Sequence, residues 1–243
     1  MNPSEYDRMR RLEDRYWWFV GRRTLALGLL DSARLRGHPR VLDLGCGTGA
    51  VLGELAKKAD TVGVDMSDQA LEYSAERGLR HLVRGRGEAL PFESASFDAV
   101  VALDVFEHIE DHGSAFRETF RVLKPGGVLV LSVPAFMSLW GPHDVALRHF
   151  RRYRSPLLRQ ALAAAGFGSL RVSYSVFFLF PIVWLIRQFE KRKRGDAEAS
   201  LPEVPAWLNR ALIGLQGLEA RLIRAVRLPW GSSLVAVARK PAP

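Results

Sequence analysis

The sequence predicts an α/β fold built on a seven-stranded, mostly parallel sheet with helices on both faces. From residue 40 onward, short apolar runs alternate with stretches of helical periodicity, which is the pattern of strands joined by crossover helices. The first apolar run, 41–45, leads into the glycine-rich turn 45–49, and the second run ends in Asp65. Such a turn lets a ligand approach the backbone, and an acid about 20 residues further on can accept ribose hydroxyls. These observations predict a nucleotide-type ligand site at one edge of the sheet.

The first five strands are predicted, in order, at 41–45, 61–65, 81–85, 97–103 and 128–133. The helices between them are predicted at 50–59, from Ser67 to about Gly78, and at 112–123. Ser67 suits a helix start because its hydroxyl accepts from free N–H groups, and Gly78 suits a helix end because glycine tolerates positive φ. Ser155-Pro156 predicts the start of a further helix, which Gly166 closes.

The last two strands are predicted at 170–176 and 232–240, with about 55 residues between them. We expect the first five strands to be parallel and the final pair to form an antiparallel excursion. Residues 177–230 are therefore predicted to be a helical, amphipathic insertion before the last strand, and we expect this insertion and the N-terminal helix to cover the active site. The predicted regions are N-terminal lid helices at 1–39, a ligand-binding core at 40–176 and 231–243, and the insertion at 177–230.

The insertion contains two distinctive apolar stretches. Residues 176–186, VFFLFPIVWLI, are uniformly apolar but reach only about half of a roughly 30 Å hydrocarbon core, so we do not expect them to span a membrane. They suit either a helix lying in the interface of an anionic leaflet or a helix at a core or dimer interface. Residues 211–226 carry leucines at helical spacing with arginines between them, which predicts an amphipathic helix.

Positive charge is concentrated in the second part of the chain. Residues 148–243 carry 17 bases and 5 acids, a net of +12, whereas residues 1–147 carry 18 bases and 21 acids, a net of −3. The bases cluster at 148–159 and in the run Lys191–Arg194. This asymmetry indicates an anionic partner, either a membrane surface, a phosphorylated substrate or a nucleic acid, unless it is simply a solvated basic face.

Cysteine content and the opening residues limit the class of protein. The single cysteine, Cys46, excludes an intramolecular disulfide and a cysteine-based zinc cluster. The opening residues mix acids and bases and lack the apolar segment of a secretory signal. We therefore expect a cytoplasmic enzyme.

Five motifs occur in an ordered series: VLDLGCGTG (41–49), VGVDMS (62–67), GEALPF (87–92), SFDAVVALDVFEHIED (96–111) and LKPGGVLVLSVP (123–134). This series resembles the S-adenosylmethionine-dependent methyltransferases of the Rossmann-like class, over roughly residues 40–170. The loop LDLGCGTG differs from the G-x-G-x-x-G loop of enzymes that bind a dinucleotide pyrophosphate. The resemblance therefore implies S-adenosyl-L-methionine as the cofactor and a methyltransferase activity.

The cofactor-binding residues that the resemblance implies are Asp43, Gly45, Cys46, Gly47, Asp65, Met66, Gly87, Glu88, Leu103 and Asp104. The loop would hold the methionine moiety, Asp65 would bind the ribose hydroxyls, and Met66 would pack on the adenine. Leu103 and Asp104 would line the mouth of the same pocket. Arg86 stands where the family usually has an acid that accepts from the adenine amino group, so this contact is expected from Glu88 or the Gly87 backbone.

Two segments are predicted to follow strands at the ligand-binding edge of the sheet. Glu107-His108 follows the fourth strand, and residues 140–153 follow the fifth. The second segment, together with Tyr16–Phe19 and Arg22-Arg23, resembles a subgroup of these methyltransferases that is often encoded beside glycosyltransferases or other envelope and natural-product genes. The substrate contacts predicted from these segments are Trp17, Trp18, Trp140, His149, Arg152 and Tyr153.

Methyl transfer to an oxygen of high pKa needs a base, and a neutral histidine is suited to that role near pH 7. His143 is the first candidate, with Asp144 or Asp104 to orient it, and with His108 and His149 as alternatives. The predicted catalytic residues are thus His143, Asp144 and His108. Each histidine has the alternative of a purely structural hydrogen bond.

The sequence therefore predicts methyl transfer to an oxygen or nitrogen of a small-molecule or lipid-linked acceptor, such as a sugar or secondary metabolite. The alternatives are a nucleic-acid methyltransferase and a non-catalytic scaffold that binds S-adenosylmethionine. We expect no metal and no nucleic-acid partner. A cytoplasmic location is expected, with an anionic inner-membrane surface and a homodimer as further candidate partners for the insertion.

Overall fold

The computed structural model describes residues 3–190 and 203–242, and these residues contain seven strands and nine α-helices. The strands are β1 (Arg40–Leu44), β2 (Asp60–Asp65), β3 (Leu82–Arg84), β4 (Phe97–Leu103), β5 (Leu123–Pro134), β6 (Leu170–Ser175) and β7 (Ser233–Arg239). The helices are α1 (Pro3–Leu12), α2 (Trp17–Ser32), α3 (Ala50–Leu55), α4 (Asp68–Glu76), α5 (His112–Val122), α6 (Pro142–Ala146), α7 (Ser155–Ala164), α8 (Phe180–Glu190) and α9 (Ala206–Ala225). Two short 3₁₀ turns lie at Phe106–His108 and Met137–Leu139.

The strands form one sheet in the order β3-β2-β1-β4-β5-β7-β6. This confirms the predicted α/β class and the seven strands, but the direction of β6 differs from the expectation. β7 pairs antiparallel with both β5 and β6, so β6 runs in the same direction as the first five strands. Six strands therefore share one direction and only β7 is reversed, because α7 returns the chain across the sheet before β6 begins.

Helices cover both faces of the sheet, and the strands are therefore buried on both sides. In β5, Leu129 and Leu131 pack with α5 and α7, whereas Val128 and Val130 pack with α2 and α9. Successive residues of a strand point to opposite faces, so a nearly continuous apolar run serves two cores. This arrangement leaves the carboxyl edge of the strands open for ligands.

The two helices of the insertion, α8 and α9, have different surroundings. α9 packs along α2, and a Cβ added at Gly21 would lie 2.7 Å from Cβ of Gln216, so the two helices touch there. Asn209 also accepts a hydrogen bond of 2.9 Å from the Trp17 backbone N–H, which caps the start of α2. The expectation that all of 177–230 covers the active site is wrong for α9, which covers a face of the sheet.

The apolar stretch 176–186 is helical only in its second part. The helix α8 begins at Phe180, and the preceding residues form a turn whose N–H groups at Val176 and Phe177 donate to the carboxylate of Glu219 on α9. Because the buried carboxylate of Glu219 holds this turn, the turn separates the end of the strand from the start of the helix. No sequence pattern near the turn predicts this contact. The basic run Lys191–Arg194 lies outside the described residues. Among the residues described, no helix combines the length and apolar character needed to cross a bilayer.

Candidate active site

The glycine-rich turn lies between β1 and α3 at the carboxyl edge of the sheet. Gly45 has φ of 70° and Gly47 has φ of 54°, which is the left-handed region that glycine adopts without strain. A Cβ at Gly45 would lie 2.5 Å from Cγ2 of Val105, so this position has no room for a side chain. The N–H groups of Gly45 and Cys46 donate to the carbonyl of Val64, which fixes the turn against β2.

Asp65 closes the same turn from the end of β2. Its carboxylate accepts the backbone N–H of Gly47 and of Ser67, each at 3.0 Å. Burial raises the pKa of Asp65, and these N–H groups oppose that shift. The sequence-predicted loop and acid are therefore brought together by direct hydrogen bonds.

Asp43 is buried beneath the turn and incompletely paired. Its Oδ2 has no hydrogen-bond partner among the described residues. Burial, with the nearby carboxylates of Asp65 and Glu13, raises the pKa of Asp43 to about 8. A buried carboxyl group with a vacant acceptor is suited to a cationic or hydrogen-bond-donating ligand group.

Helix α1 forms a roof over this end of the site. The Sδ of Met9 lies 3.2 Å from where a Cβ of Gly47 would be, so the helix rests on the glycine-rich turn. Glu13 accepts hydrogen bonds from the Thr48 hydroxyl and from Arg77, which ties the roof to the start of α3 and to α4. Met9 and Glu13 were not predicted as site residues, because α1 has no sequence motif beyond its amphipathic pattern.

A single cavity of about 1150 Å³ extends from this roof to the opposite, acceptor-side end. Its wall includes Asp43, Gly45, Cys46, Gly47, Asp65, Met66, Gly87, Glu88, Leu103 and Asp104 at one end, and Glu107, His108, His143, His149 and Arg152 at the other. Trp17 and Trp18 also line it. Pockets for one small ligand occupy about 300–1000 Å³, so the volume suffices for a cofactor and an acceptor together.

Arg22 of α2 joins the two ends. It forms an ion pair with Asp104 and donates to Ser132 Oγ at 2.7 Å, while its guanidinium lies 5.0 Å from the ring centre of Trp18. Burial lowers the pKa of Arg22 to about 10, which leaves it charged at neutral pH. Asp104 is thus engaged by Arg22 and does not orient His143.

The acceptor-side end is organised around Asp144, which is fully buried at the start of α6. Its carboxylate accepts from Arg152 at 2.8 and 3.0 Å, from the Gly141 N–H at 2.9 Å, and pairs with Nδ1 of His149 at 2.9 Å. Asp144 was expected to orient His143, but its carboxylate pairs with the His149 ring instead. The two hydrogen bonds from Arg152, at 2.8 and 3.0 Å, hold its guanidinium on the Asp144 carboxylate.

The histidines His108, His143 and His149 form a cluster on the cavity wall. The ring centre of His149 lies 4.6 Å from that of His108 and 6.5 Å from that of His143. Burial lowers the pKa of His108 to about 3 and that of His143 to about 4. Both rings are therefore neutral at pH 7, and both residues line the cavity.

Glu107 lies directly behind this cluster and is completely buried. Neither of its carboxylate oxygens has a hydrogen-bond partner among the residues described. Burial raises the pKa of Glu107 to about 8, against the opposing charges of Arg22 and Arg152. The pair Glu107-His108 was singled out in the sequence, but the lack of any partner for Glu107 is visible only in the fold.

Two sequence-predicted residues, Tyr153 and Trp140, lie outside the cavity wall. Tyr153 is buried away from the cavity and bonds to the Phe106 carbonyl and the His112 ring. Trp140 is half-buried and also lies outside the cavity wall. Arg86 lies on the cavity wall beside Gly87, with most of its side chain exposed and a nitrogen 3.4 Å from Glu88.

Comparison with known proteins agrees with this geometry. A profile of the methyltransferase domain family matches residues 42–131. A probable S-adenosylmethionine-dependent methyltransferase of Mycolicibacterium smegmatis is 32% identical over 161 residues, which is 64% of this chain and 60% of that protein. A ubiquinone biosynthesis O-methyltransferase of Paracidovorax citrulli is 33% identical over 148 residues, covering 54% and 62%. The chain thus spans about three fifths of the length of these two relatives.

The fold has known counterparts as well. A Thermotoga maritima S-adenosylmethionine-dependent methyltransferase, described as a possible histamine N-methyltransferase, superposes with a TM-score of 0.62 at 20% identity. The match covers 98% of this chain and 95% of that one, and at this identity it concerns the fold alone. The domain match, the glycine-rich turn with Asp65 and the shared fold agree with one another. Residues 42–131 thus form a methyltransferase domain, and the chain resembles S-adenosylmethionine-dependent methyltransferases in sequence and in fold.

Proposed function

We propose that the chain transfers a methyl group from S-adenosylmethionine to an oxygen or nitrogen of a small or lipid-linked acceptor. The observation that carries this proposal is the single cavity, which joins the glycine-rich turn and Asp65 to the histidine cluster. A site that only bound the cofactor would not need a cluster of neutral histidines at the far end. The acceptor's reacting atom would lie between these two ends.

The residues present fit the cofactor. The unpartnered Oδ2 of Asp43 suits the amino group of a methionine moiety, and the positive φ of Gly45 and Gly47 leaves the backbone open to close approach. Asp65 is suited to ribose hydroxyls, and exposed Met66 to an adenine face. When bound, S-adenosylmethionine supplies an electrophilic methyl carbon on a sulfonium centre, so the protein needs mainly to align the acceptor and exclude water.

His143 is the proposed general base at the acceptor-side end. It is neutral at pH 7 and lies on the cavity wall beside His149. Its imidazole would accept the proton that an acceptor hydroxyl or ammonium gives up. The lid residues Trp17 and Trp18 would keep water from the reacting atoms, since both line the cavity beneath α1.

The first test is titration calorimetry of S-adenosylmethionine and S-adenosylhomocysteine. Asp65→Ala should weaken both affinities by roughly 10- to 100-fold, because charge-assisted hydrogen bonds contribute about 1.5–3 kcal/mol. Asp65→Asn keeps the shape and should lose less. Asp68→Ala removes an exposed aspartate three residues away and serves as the matched control. Wild-type affinity in Asp65→Ala would contradict the assigned cofactor end.

The acceptor is proposed to be lipid-linked because of the surface of α8. Val183, Ile186 and Arg187 of α8 line the cavity. The rest of the helix surface exposes the apolar side chains of Ile182, Trp184, Leu185 and Phe189. An apolar helix surface beside the entrance to a site suits shallow insertion into a lipid interface. The chain's excess of bases after residue 147 suits an anionic leaflet.

Sedimentation with vesicles tests this part of the proposal. The triple variant Trp184→Ser, Leu185→Ser and Phe189→Ser should lose retention on vesicles that contain anionic lipid. Leu157→Ser removes an exposed apolar side chain from α7 and is the matched control. Equal retention of the wild type and the triple variant would leave a water-soluble small molecule as the acceptor class.

A further inference from the structure

Glu107, His108 and His149 together have the composition of a metal site. Each offers one ligand atom, and these atoms all lie within 4.8 Å of one another. Two imidazoles and one carboxylate form the protein ligand set of open zinc sites, in which a further position stays available. The set comes from two segments far apart in sequence, the 3₁₀ turn after β4 and the loop after α6.

The completely buried carboxylate of Glu107 is the second, independent observation. Both of its oxygens are without a hydrogen-bond partner among the described residues, although a buried carboxylate is costly unless it is paired or coordinates a metal. Native proteins satisfy nearly all such groups. A cation between Glu107 and the two histidines would supply the missing partner.

The surroundings of the two histidines hold the rings as metal ligands require. Nδ1 of His149 pairs with Asp144 at 2.9 Å, which makes Nδ1 the donor and leaves Nε2 with the lone pair. The His108 ring is hydrogen-bonded to the backbone of Leu147. A ligating histidine usually donates its second nitrogen to a carboxylate or a backbone carbonyl, which fixes its tautomer and orientation.

Backbone contacts also clamp the two segments together. The Phe150 N–H donates to the Glu107 carbonyl at 2.8 Å, and Arg151 donates to the carbonyls of Ile109 and Glu110. One main-chain hydrogen bond and the Arg151 guanidinium therefore hold together the two segments that carry the three side chains. A tetrahedral zinc ion would draw the ligand atoms to about 3.4 Å apart, which small rotations of the side chains can provide.

We propose that Glu107, His108 and His149 bind a divalent zinc-like metal ion on the acceptor side of the cavity. Zinc is favoured over magnesium because imidazole suits Zn²⁺ and related transition metals, whereas Mg²⁺ prefers oxygen ligands in octahedral geometry. The open position faces the cavity, so an acceptor oxygen can complete the coordination. The coordination of an acceptor oxygen rests on the proposed methyl transfer, whereas the binding of the metal does not.

The experiment uses the full chain without a histidine tag, stripped with a chelator and then titrated with Zn²⁺ alone. One zinc ion should bind per chain, and His108→Ala and His149→Ala should each weaken binding by at least about 10-fold, the lower end of what perturbing a metal's ligand environment costs. Co²⁺ in place of Zn²⁺ should give an absorption band that both variants lose. Mg²⁺ should not bind, and His81→Ala, an exposed histidine, is the matched control.

Glu107→Gln keeps the test decisive if a histidine variant fails to fold. It removes a buried, unpaired carboxylate, so the metal-free variant should unfold at the same or a higher urea concentration than the wild type, yet bind zinc more weakly. Absence of stoichiometric zinc, or equal affinity in all three variants, would overturn the inference. Zinc binding without methyl transfer would contradict the proposed function alone, and methyl transfer without zinc binding would contradict the metal site alone.

Discussion

The two ends of the cavity are built by different means. The cofactor end is formed by a glycine-rich turn and two strand-end acids, whose groups bond to neighbouring backbone, as Asp65 does to Gly47 at 3.0 Å. The acceptor end is formed by side chains that depend on one another, with buried Asp144 holding both Arg152 and His149. A site formed by backbone geometry tolerates substitutions in the rest of the protein. A side-chain network can be retuned for a new acceptor, but it fails when one member is lost.

Arg152→Met should produce the largest effect, because it leaves the carboxylate of Asp144 buried without its counter-ion. Breaking a buried ion pair by removing one partner costs about 3–5 kcal/mol. Urea unfolding should show a loss of that order in the free energy of unfolding. The cofactor end should keep its S-adenosylhomocysteine affinity in the fraction that stays folded, since no hydrogen bond joins Arg152 to the glycine-rich turn.

Two further variants sharpen this result. Arg148→Met removes an exposed arginine of the same loop and should change stability by less than about 0.5 kcal/mol. Combining Asp144→Asn with Arg152→Met removes both charges and should recover part of the lost stability. An Arg152→Met protein as stable as the Arg148→Met protein would mean that the acceptor end is not a coupled network.

The same contrast explains what the sequence could predict. The cofactor end depends on local chemistry, because positive φ at Gly45 and an acid at the end of β2 are consequences of short motifs. At the acceptor end, Arg152 was expected to contact the substrate and Asp144 to orient His143. In the structure these two residues pair with each other, and this choice of partner depends on packing that no spacing in the sequence encodes.

The fold shows the same contrast between features set by local sequence and features set by distant residues. The positions of the strands along the chain and the start of α4 at Ser67 follow from patterns within a few residues, and Ser67 does accept from the Ala70 N–H. The start of α8 was placed too early, because the turn before it is held by Glu219, more than 40 residues further along the chain. The direction of β6 likewise depends on its pairing with β7, which comes last in the chain.

Gly45→Ala should have the next largest effect and tests whether the cofactor end depends on backbone conformation. Left-handed φ costs a non-glycine residue roughly 1–2 kcal/mol, and the contact with Val105 adds an overpacking cost of about 1–3 kcal/mol. The free energy of unfolding should fall by about 2–5 kcal/mol, and affinity for S-adenosylhomocysteine should fall with it. Gly53→Ala in α3 is the control, because its Cβ would meet no atom within 4 Å. That variant should be up to about 1 kcal/mol more stable, and a similar loss in both variants would contradict the argument from φ and close packing.

Asp43→Asn should have the smallest effect and concerns the charge at the cofactor end. The pKa of Asp43 is raised to about 8 in the folded chain, against about 3.9 in an unfolded one. The folded state therefore holds a proton that the unfolded state releases, so the contribution of this group to stability is greatest below about pH 4 and is lost as pH rises towards 8. The asparagine variant has no such proton to lose. Its advantage in the free energy of unfolding over the wild type should grow by at least about 1 kcal/mol between pH 5.5 and pH 8. Asp60→Asn, at an exposed position at the start of β2, should show no comparable trend. A constant difference between Asp43→Asn and the wild type would mean that Asp43 is already ionised in the free chain, and that a cationic ligand group is not required to balance it.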